Sequence, residues 1–129
     1  MSTEKIHKIL VVDDSKLIHK MYEVMLRPHA LIYALNGKEG LQKLGEHADI
    51  DLILLDINMP QINGLEFLGH AKANPAFAKI PVVIVSTEGK DDDILRGLKA
   101  GAAAYIKKPF QREQLIQVIG RMQAHESAA

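Results

Sequence analysis

The sequence predicts an α/β fold: five β-strands, each followed by a helix, forming a doubly wound parallel sheet covered on both faces. Two observations carry that reading. Short, uniformly apolar runs such as Ile9-Leu10-Val11-Val12 and Leu52-Ile53-Leu54-Leu55 have the character of strands buried on both faces of a parallel sheet. Between such runs the apolar residues recur at helical spacing, and strands alternating with helices in this way require right-handed crossovers.

Each element has its own signal. Ile9 to Val12 is the first strand, and Ile18, Met21, Tyr22 and Met25 mark the first helix, which Pro28 ends. Met21 and Met25 lie on its apolar stripe and are expected in the core. Ala30 to Leu35 is less uniformly apolar, as an edge strand would be. Asn36-Gly37-Lys38-Glu39 has capping-box spacing and opens a second helix through Leu44. Leu52 to Leu55 is the third strand. A helix from about Gly64 through Leu68 to Ala73 stops at Asn74-Pro75. Pro81 to Val85 is the fourth strand, and Asp91, Asp92 and Asp93 are a solvated helix start favoured by the macrodipole. Ala103 to Ile106 is the fifth strand. Leu115, Ile116, Ile119 and Met122 give the last helix its apolar stripe, and His125 to Ala129 are expected to fray.

Composition bounds the function. At 129 residues the chain has the size of one domain, expected to span 1–129 with a core of about 6–124 and no effector domain. Sixteen basic residues balance sixteen acidic ones, so no global charge favours nucleic acid or an anionic membrane. The absence of cysteine excludes disulfides, thiol catalysis and cysteine-based zinc sites. The polar start, Met1 to Lys8, lacks the apolar centre of a signal peptide, and no apolar run approaches the ~20 residues of a membrane span. A cytoplasmic location is expected. The six histidines (His7, His19, His29, His47, His70, His125) show no metal-ligand spacing and read as surface or structural residues.

The acids are the chemical signal. Asp13-Asp14 closes the first strand and Asp56 follows the third, which puts three carboxylates at the carboxyl edge where doubly wound sheets place their sites. Three acids in one cleft are costly unless a cation sits among them, and that points to a magnesium-assisted phosphoryl acceptor. Other readings compete at single residues. Asp14 before Ser15-Lys16 could only cap a helix, Lys108 could be a solvated lysine like Lys107, and Tyr105 could be an ordinary strand aromatic. An aspartyl-nucleophile phosphatase of the dehalogenase type needs a second Asp where Asn58 stands, and a nucleotide-binding P-loop is missing from the chain.

Taken in order, Val11-Val12-Asp13-Asp14-Ser15, Leu55-Asp56-Ile57-Asn58-Met59-Pro60, Asn63-Gly64, Val85-Ser86, Gly101-Ala102 and Tyr105-Ile106-Lys107-Lys108-Pro109-Phe110 resemble the receiver domain of bacterial response regulators. The chain is similar to the single-domain chemotaxis, CheY-like, type. The resemblance implies the flavodoxin-like strand order 2-1-3-4-5 and a phosphorylatable switch of two-component signal transduction. Asp56 would accept a phosphoryl group from the phosphohistidine of a histidine kinase or phosphotransfer protein. Asp13, Asp14, Asp56 and the backbone carbonyl of Asn58 would hold Mg2+, with Mn2+ able to substitute. Lys108 would meet the phosphoryl oxygens, as would the hydroxyl of Ser86, with Thr87 the competing candidate. Ser86 and Tyr105 would move together as the switch, changing the surface of the fourth helix, fifth strand and fifth helix that docks a downstream protein.

The Lys108-Pro109 bond is expected to be cis to aim the lysine. Asn58 and Glu88, the same pair as in the chemotaxis type, would set a phosphate lifetime of seconds rather than hours. Ala103-Ala104 replaces the acidic pair by which winged-helix transcription factors dimerise, so a monomer without direct nucleic-acid contact is expected. The chain is expected to be no enzyme beyond its own phosphorylation and dephosphorylation. A phosphorelay intermediate, or the receiver portion of a larger regulator or hybrid kinase, is the alternative.

Overall fold

The computed structural model describes residues 6–27, 29–57, 64–87, 91–108 and 110–128, leaving undescribed the side chains of Ser86, Thr87, Asp91, Asp93 and residues 123–128. Strands and helices alternate as the periodicities require: β1 (Lys8–Val12), α1 (Lys16–Met25), β2 (Ala30–Ala34), α2 (Gly37–Glu46), β3 (Leu52–Asp56), α3 (Gly64–Ala73), β4 (Val82–Thr87), α4 (Asp91–Lys99), β5 (Ala104–Lys108) and α5 (Arg112–Ala128). All pairings are parallel in the order β2-β1-β3-β4-β5, so β2 is an edge strand as its weaker apolar character suggests.

Alternation along the strands builds two cores. Leu10, Val12, Ile53, Leu55 and Ile84 pack against Leu44 of α2 and Phe67, Leu68 and Ala71 of α3. Ile9, Val11, Leu52, Leu54 and Val83 face the other way, against Tyr22 and Leu26 and against Leu115, Val118 and Ile119 of α5. Burial on both faces is why the central strands carry no polar residue until their ends.

Three expectations need correction. Met21 is 39% exposed and sits with Leu17 and Val24 on the outer side of α1, because Ile18, His19, Tyr22 and Met25 occupy the inward face. On α5, Ile116 is 37% exposed, and the true stripe is Leu115, Val118, Ile119 and Met122, at i, i+3, i+4 and i+7. The helix also runs further than the expected start of fraying at His125: α5 extends to Ala128. Pro28, placed at the end of the first helix, lies outside the described residues.

The helix ends are specified by side chains. Asn36 Oδ1 accepts the Glu39 N–H at 2.8 Å, and the Glu39 carboxylate reaches back to accept the Leu35 N–H at 2.7 Å, a capping box displaced by one residue. Asn36→Ala should therefore cost about 1 kcal/mol, read as a lower urea midpoint with unchanged slope. At the other end of α4, Gly101 adopts φ +116°, which lets the Ala102 N–H return to the Gly97 carbonyl at 3.0 Å and turns the chain into β5. No helix among the described residues is long and apolar enough to cross a membrane.

Candidate metal and phosphoryl site

The parallel register carries the ends of β1 and β3 side by side at the sheet's switch point, with Val12 opposite Leu55. Asp13 and Asp14 follow Val12, and Asp56 follows Leu55. One carboxylate oxygen from each of the three acids lies within 4.8 Å of the others. Asp13 and Asp56 are 2% and 5% exposed, whereas Asp14 opens to solvent.

Lys108, at the end of β5, reaches across the sheet edge. Its Nζ donates to Asp13 Oδ2 at 3.1 Å and stands 3.7 Å from Asp56 Oδ2. Lys107 is exposed instead; in the sequence only adjacency to Pro109 separates the two lysines. The structure also separates the two readings of Asp14. Ser15 is the N-cap of α1, its Oγ accepting the Ile18 N–H at 3.2 Å, so Asp14 does not cap that helix.

Asp13 is tied at four points. Its N–H donates to the Ala34 carbonyl at 3.0 Å, and its Oδ1 accepts the Ser15 N–H at 2.9 Å. Its carbonyl accepts from His19 Nε2 at 2.7 Å, and its Oδ2 accepts from Lys108. The residue is thus fixed in main chain and side chain alike.

Three carboxylates against one ammonium leave excess negative charge at this edge, where two of the acids are buried and the third opens to solvent. Hard oxygen donors at this spacing suit a small divalent cation of the oxygen-seeking kind, and the residues present fit such an ion. Tyr22 registers the same field. Burial pushes its hydroxyl above the ordinary tyrosine range, and the Asp13 and Asp56 carboxylates push it further. A raised folded-state pKa of an acid means the unfolded phenol ionises first, near its ordinary value of 10.0, so stability falls as pH rises past that point. Wild type should lose about 1 kcal/mol more than Tyr22→Phe between pH 10 and 11, read as converging unfolding midpoints.

Sequence reasoning also named residues outside this cluster. Ser86 stands in β4 opposite Lys107, one position beyond the Asp56–Val85 pair; its side chain is not described. Asn58, Glu88 and Pro109 lie outside the described residues. Tyr105 pairs with Ile84 on the edge strand β5 and is 44% exposed, away from the acids. Two residues that sequence reasoning left without a role belong to the site. His19 is one. Gly64, the first residue of α3, is the other: a Cβ there would meet the Asp56 carbonyl at 2.7 Å and the Ile57 main chain. A glycine, a poor helix former, as the first residue of a helix was the available signal. A concavity of about 550 Å³ lies between α1 and α2, lined by Lys16, His19, Lys20, Glu23, Tyr33 and Lys43 among others; none of the three acids lines it.

Comparison with known proteins agrees with this geometry. The family model described as the response regulator receiver domain matches residues 9–120. The chemotaxis protein CheY1 of Helicobacter pylori strain J99 is 35% identical over 120 residues, covering 88% of this chain and 97% of that one. The solved structure of the Vibrio cholerae chemotaxis protein CheY4 superposes with a TM-score of 0.83 at 29% identity, covering 91% of this chain and 98% of that one. The phosphorylated cyanobacterial phytochrome response regulator RcpA gives 0.78 at 31% identity, covering 95% and 96%.

Proposed function

The chain belongs to the response regulator receiver domain family, of the CheY-like kind that serves two-component signalling, and on that premise we propose that it is a phosphorylation switch whose acceptor is Asp56. The observation that carries the proposal is the convergence of Asp13, Asp14, Asp56 and Lys108 at one sheet edge. Asp56 would attack the phosphorus of a phosphohistidine. One P–O bond forms at its carboxylate as the P–N bond breaks, and the electron pair returns to the donor's imidazole. Transfer of this kind needs positioning and charge neutralisation more than covalent assistance from the protein. The Lys108 ammonium, already 3.7 Å from Asp56 Oδ2, is placed to meet the oxygens of the arriving group. Asp13, Asp14 and Asp56 would hold Mg2+, with the Asn58 carbonyl and water completing its shell. Mg2+ bound there would neutralise the negative charge that the three acids present to an anionic donor.

The output we propose is a change in the surface of α4, β5 and α5, with Ser86 and Tyr105 as the moving pair. Leu95 at 55%, Tyr105 at 44% and Ile116 at 37% exposure leave apolar area on that side, which supports docking of a protein partner. A shallow concavity of about 590 Å³ lined by Leu98, Tyr105, Lys107, Gln114, Val118 and Arg121 adjoins it. The chain would act as a monomer and catalyse only its own phosphorylation and dephosphorylation.

Intact mass after incubation with acetyl phosphate tests the proposal. One phosphoryl group should appear with Mg2+ and not without it, and it should decay within seconds to minutes if Asn58 and Glu88 set the lifetime. No incorporation from acetyl phosphate or from a phosphorylated donor protein would sink the proposal, and persistence for hours would remove the lifetime assignment.

A further inference from the structure

His19 reads from sequence as one more structural histidine. Its surroundings give it a specific task. The ring is 7% exposed, and its Nε2 lies 2.7 Å from the Asp13 carbonyl oxygen. A carbonyl only accepts, so Nε2 carries the hydrogen and donates it, which fixes the tautomer. The ring plane is fixed as well: His19 stacks on Tyr33 at 4.7 Å between centroids, with 19° between the planes. Tyr33 belongs to β2, where it pairs with Val11 of β1. One face of the imidazole thus rests on the strand next to β1, and its Nε2–H grips the residue that ends β1.

The carbonyl it grips belongs to the Asp13–Asp14 peptide. The Asp13 N–H is held by Ala34, so fixing the carbonyl fixes the orientation of the following peptide plane, and with it the direction in which Asp14 leaves the strand. Asp14 is the exposed member of the acid cluster, and the peptide that His19 holds is the one through which it joins the strand. We infer that His19 is a positioning residue for the metal site: through the Asp13 carbonyl and its stack on Tyr33 it holds the Asp13-Asp14 pair in the geometry that binds the cation. This rests on the cation-binding role proposed above for the acids.

Mg2+ titration of the full chain, followed by backbone amide NMR at fixed pH, tests it alongside unfolding without divalent ions. His19→Phe keeps an aromatic ring against Tyr33 and removes the donor. His19→Gln loses the ring but carries an N–H donor at about the reach of Nε2. His19→Phe should weaken Mg2+ binding about tenfold or more, the usual range for loss of a group that orients a ligand. It should also shift the Asp14 amide in the metal-free protein, and His19→Gln should recover most of both. A purely structural role predicts lower thermal midpoints with the Mg2+ affinity intact; His19→Phe binding within twofold of wild type would overturn the inference, as would His19→Gln binding no better than His19→Phe. If His19→Phe does not fold, Tyr33→Leu decides: weaker Mg2+ binding supports the device and unchanged binding overturns it. Wild type that fails to bind Mg2+ would instead overturn the metal site itself, and this inference with it.

Discussion

Asp56→Asn should abolish phosphoryl incorporation while making the metal-free protein more stable. The first effect follows from replacing the nucleophilic carboxylate with an amide of the same size. The second follows from charge. Asp56 has two like-charged neighbours within 4.8 Å and one ammonium, that of Lys108, at 3.7 Å. Among the described groups, removing its charge relieves the repulsion from both acids and forfeits the attraction to Lys108. At the dielectric typical of such sites each term is worth up to ~4 kcal/mol before screening, so a net gain of about 1–2 kcal/mol is expected. Urea unfolding in chelator should show the gain. Adding Mg2+ should then stabilise wild type more than the variant, because the variant offers the cation one carboxylate fewer.

Gly64→Ala should be strongly destabilising, the largest loss expected among the glycines whose surroundings are described. The added Cβ meets backbone of the Asp56–Ile57 peptide, the Asp56 carbonyl and the Ile57 Cα, rather than only the movable end of a side chain. At Gly97 the corresponding clash is with the Cδ1 of Ile84, which can rotate away. Overpacking against backbone belongs at the upper end of the usual range, about 3 kcal/mol, or on the order of 10 °C in Tm for a domain of this size. The segment that must yield carries Asp56, so phosphorylation by acetyl phosphate should slow as well. A thermal midpoint within about 2 °C of wild type, with normal phosphorylation, would show that α3 can back away from β3 without cost.

The strands were legible because a parallel sheet covered on both faces demands uniformly apolar runs, and Ile9–Val12 and Leu52–Leu55 are such runs. Their ends were less so. β4 and β5 extend to Thr87 and Lys108, past the apolar stretch, because main-chain pairing continues there, Ser86 with Lys107 and Thr87 with Lys108. The acids of the site were legible because they stand at or just past the ends of apolar strands, and topology alone brings those strand ends together. Lys108 was separable from Lys107 only by its adjacency to Pro109; in the structure it is Lys108 that reaches Asp13.

His19 and Gly64 were not legible as site residues, for a common reason. Both act on main-chain atoms, the Asp13 carbonyl and the Asp56 carbonyl, and main-chain geometry leaves little trace in residue identity. Met21 and Ile116 failed differently. Each lies one helical step from a truly buried neighbour, Tyr22 and Leu115, and periodicity cannot resolve the edge of a stripe until the opposing surface is known.

The central claim is that the phosphoryl group resides on the Asp56 carboxylate. Borohydride reduces an acyl phosphate to an alcohol, converting the modified aspartate to homoserine, which peptide mass mapping can locate. After incubation with acetyl phosphate and Mg2+, homoserine should appear at position 56 and at neither Asp13 nor Asp14. Homoserine at Asp13 or Asp14, or a phosphoryl group that survives reduction elsewhere in the chain, would contradict the assignment.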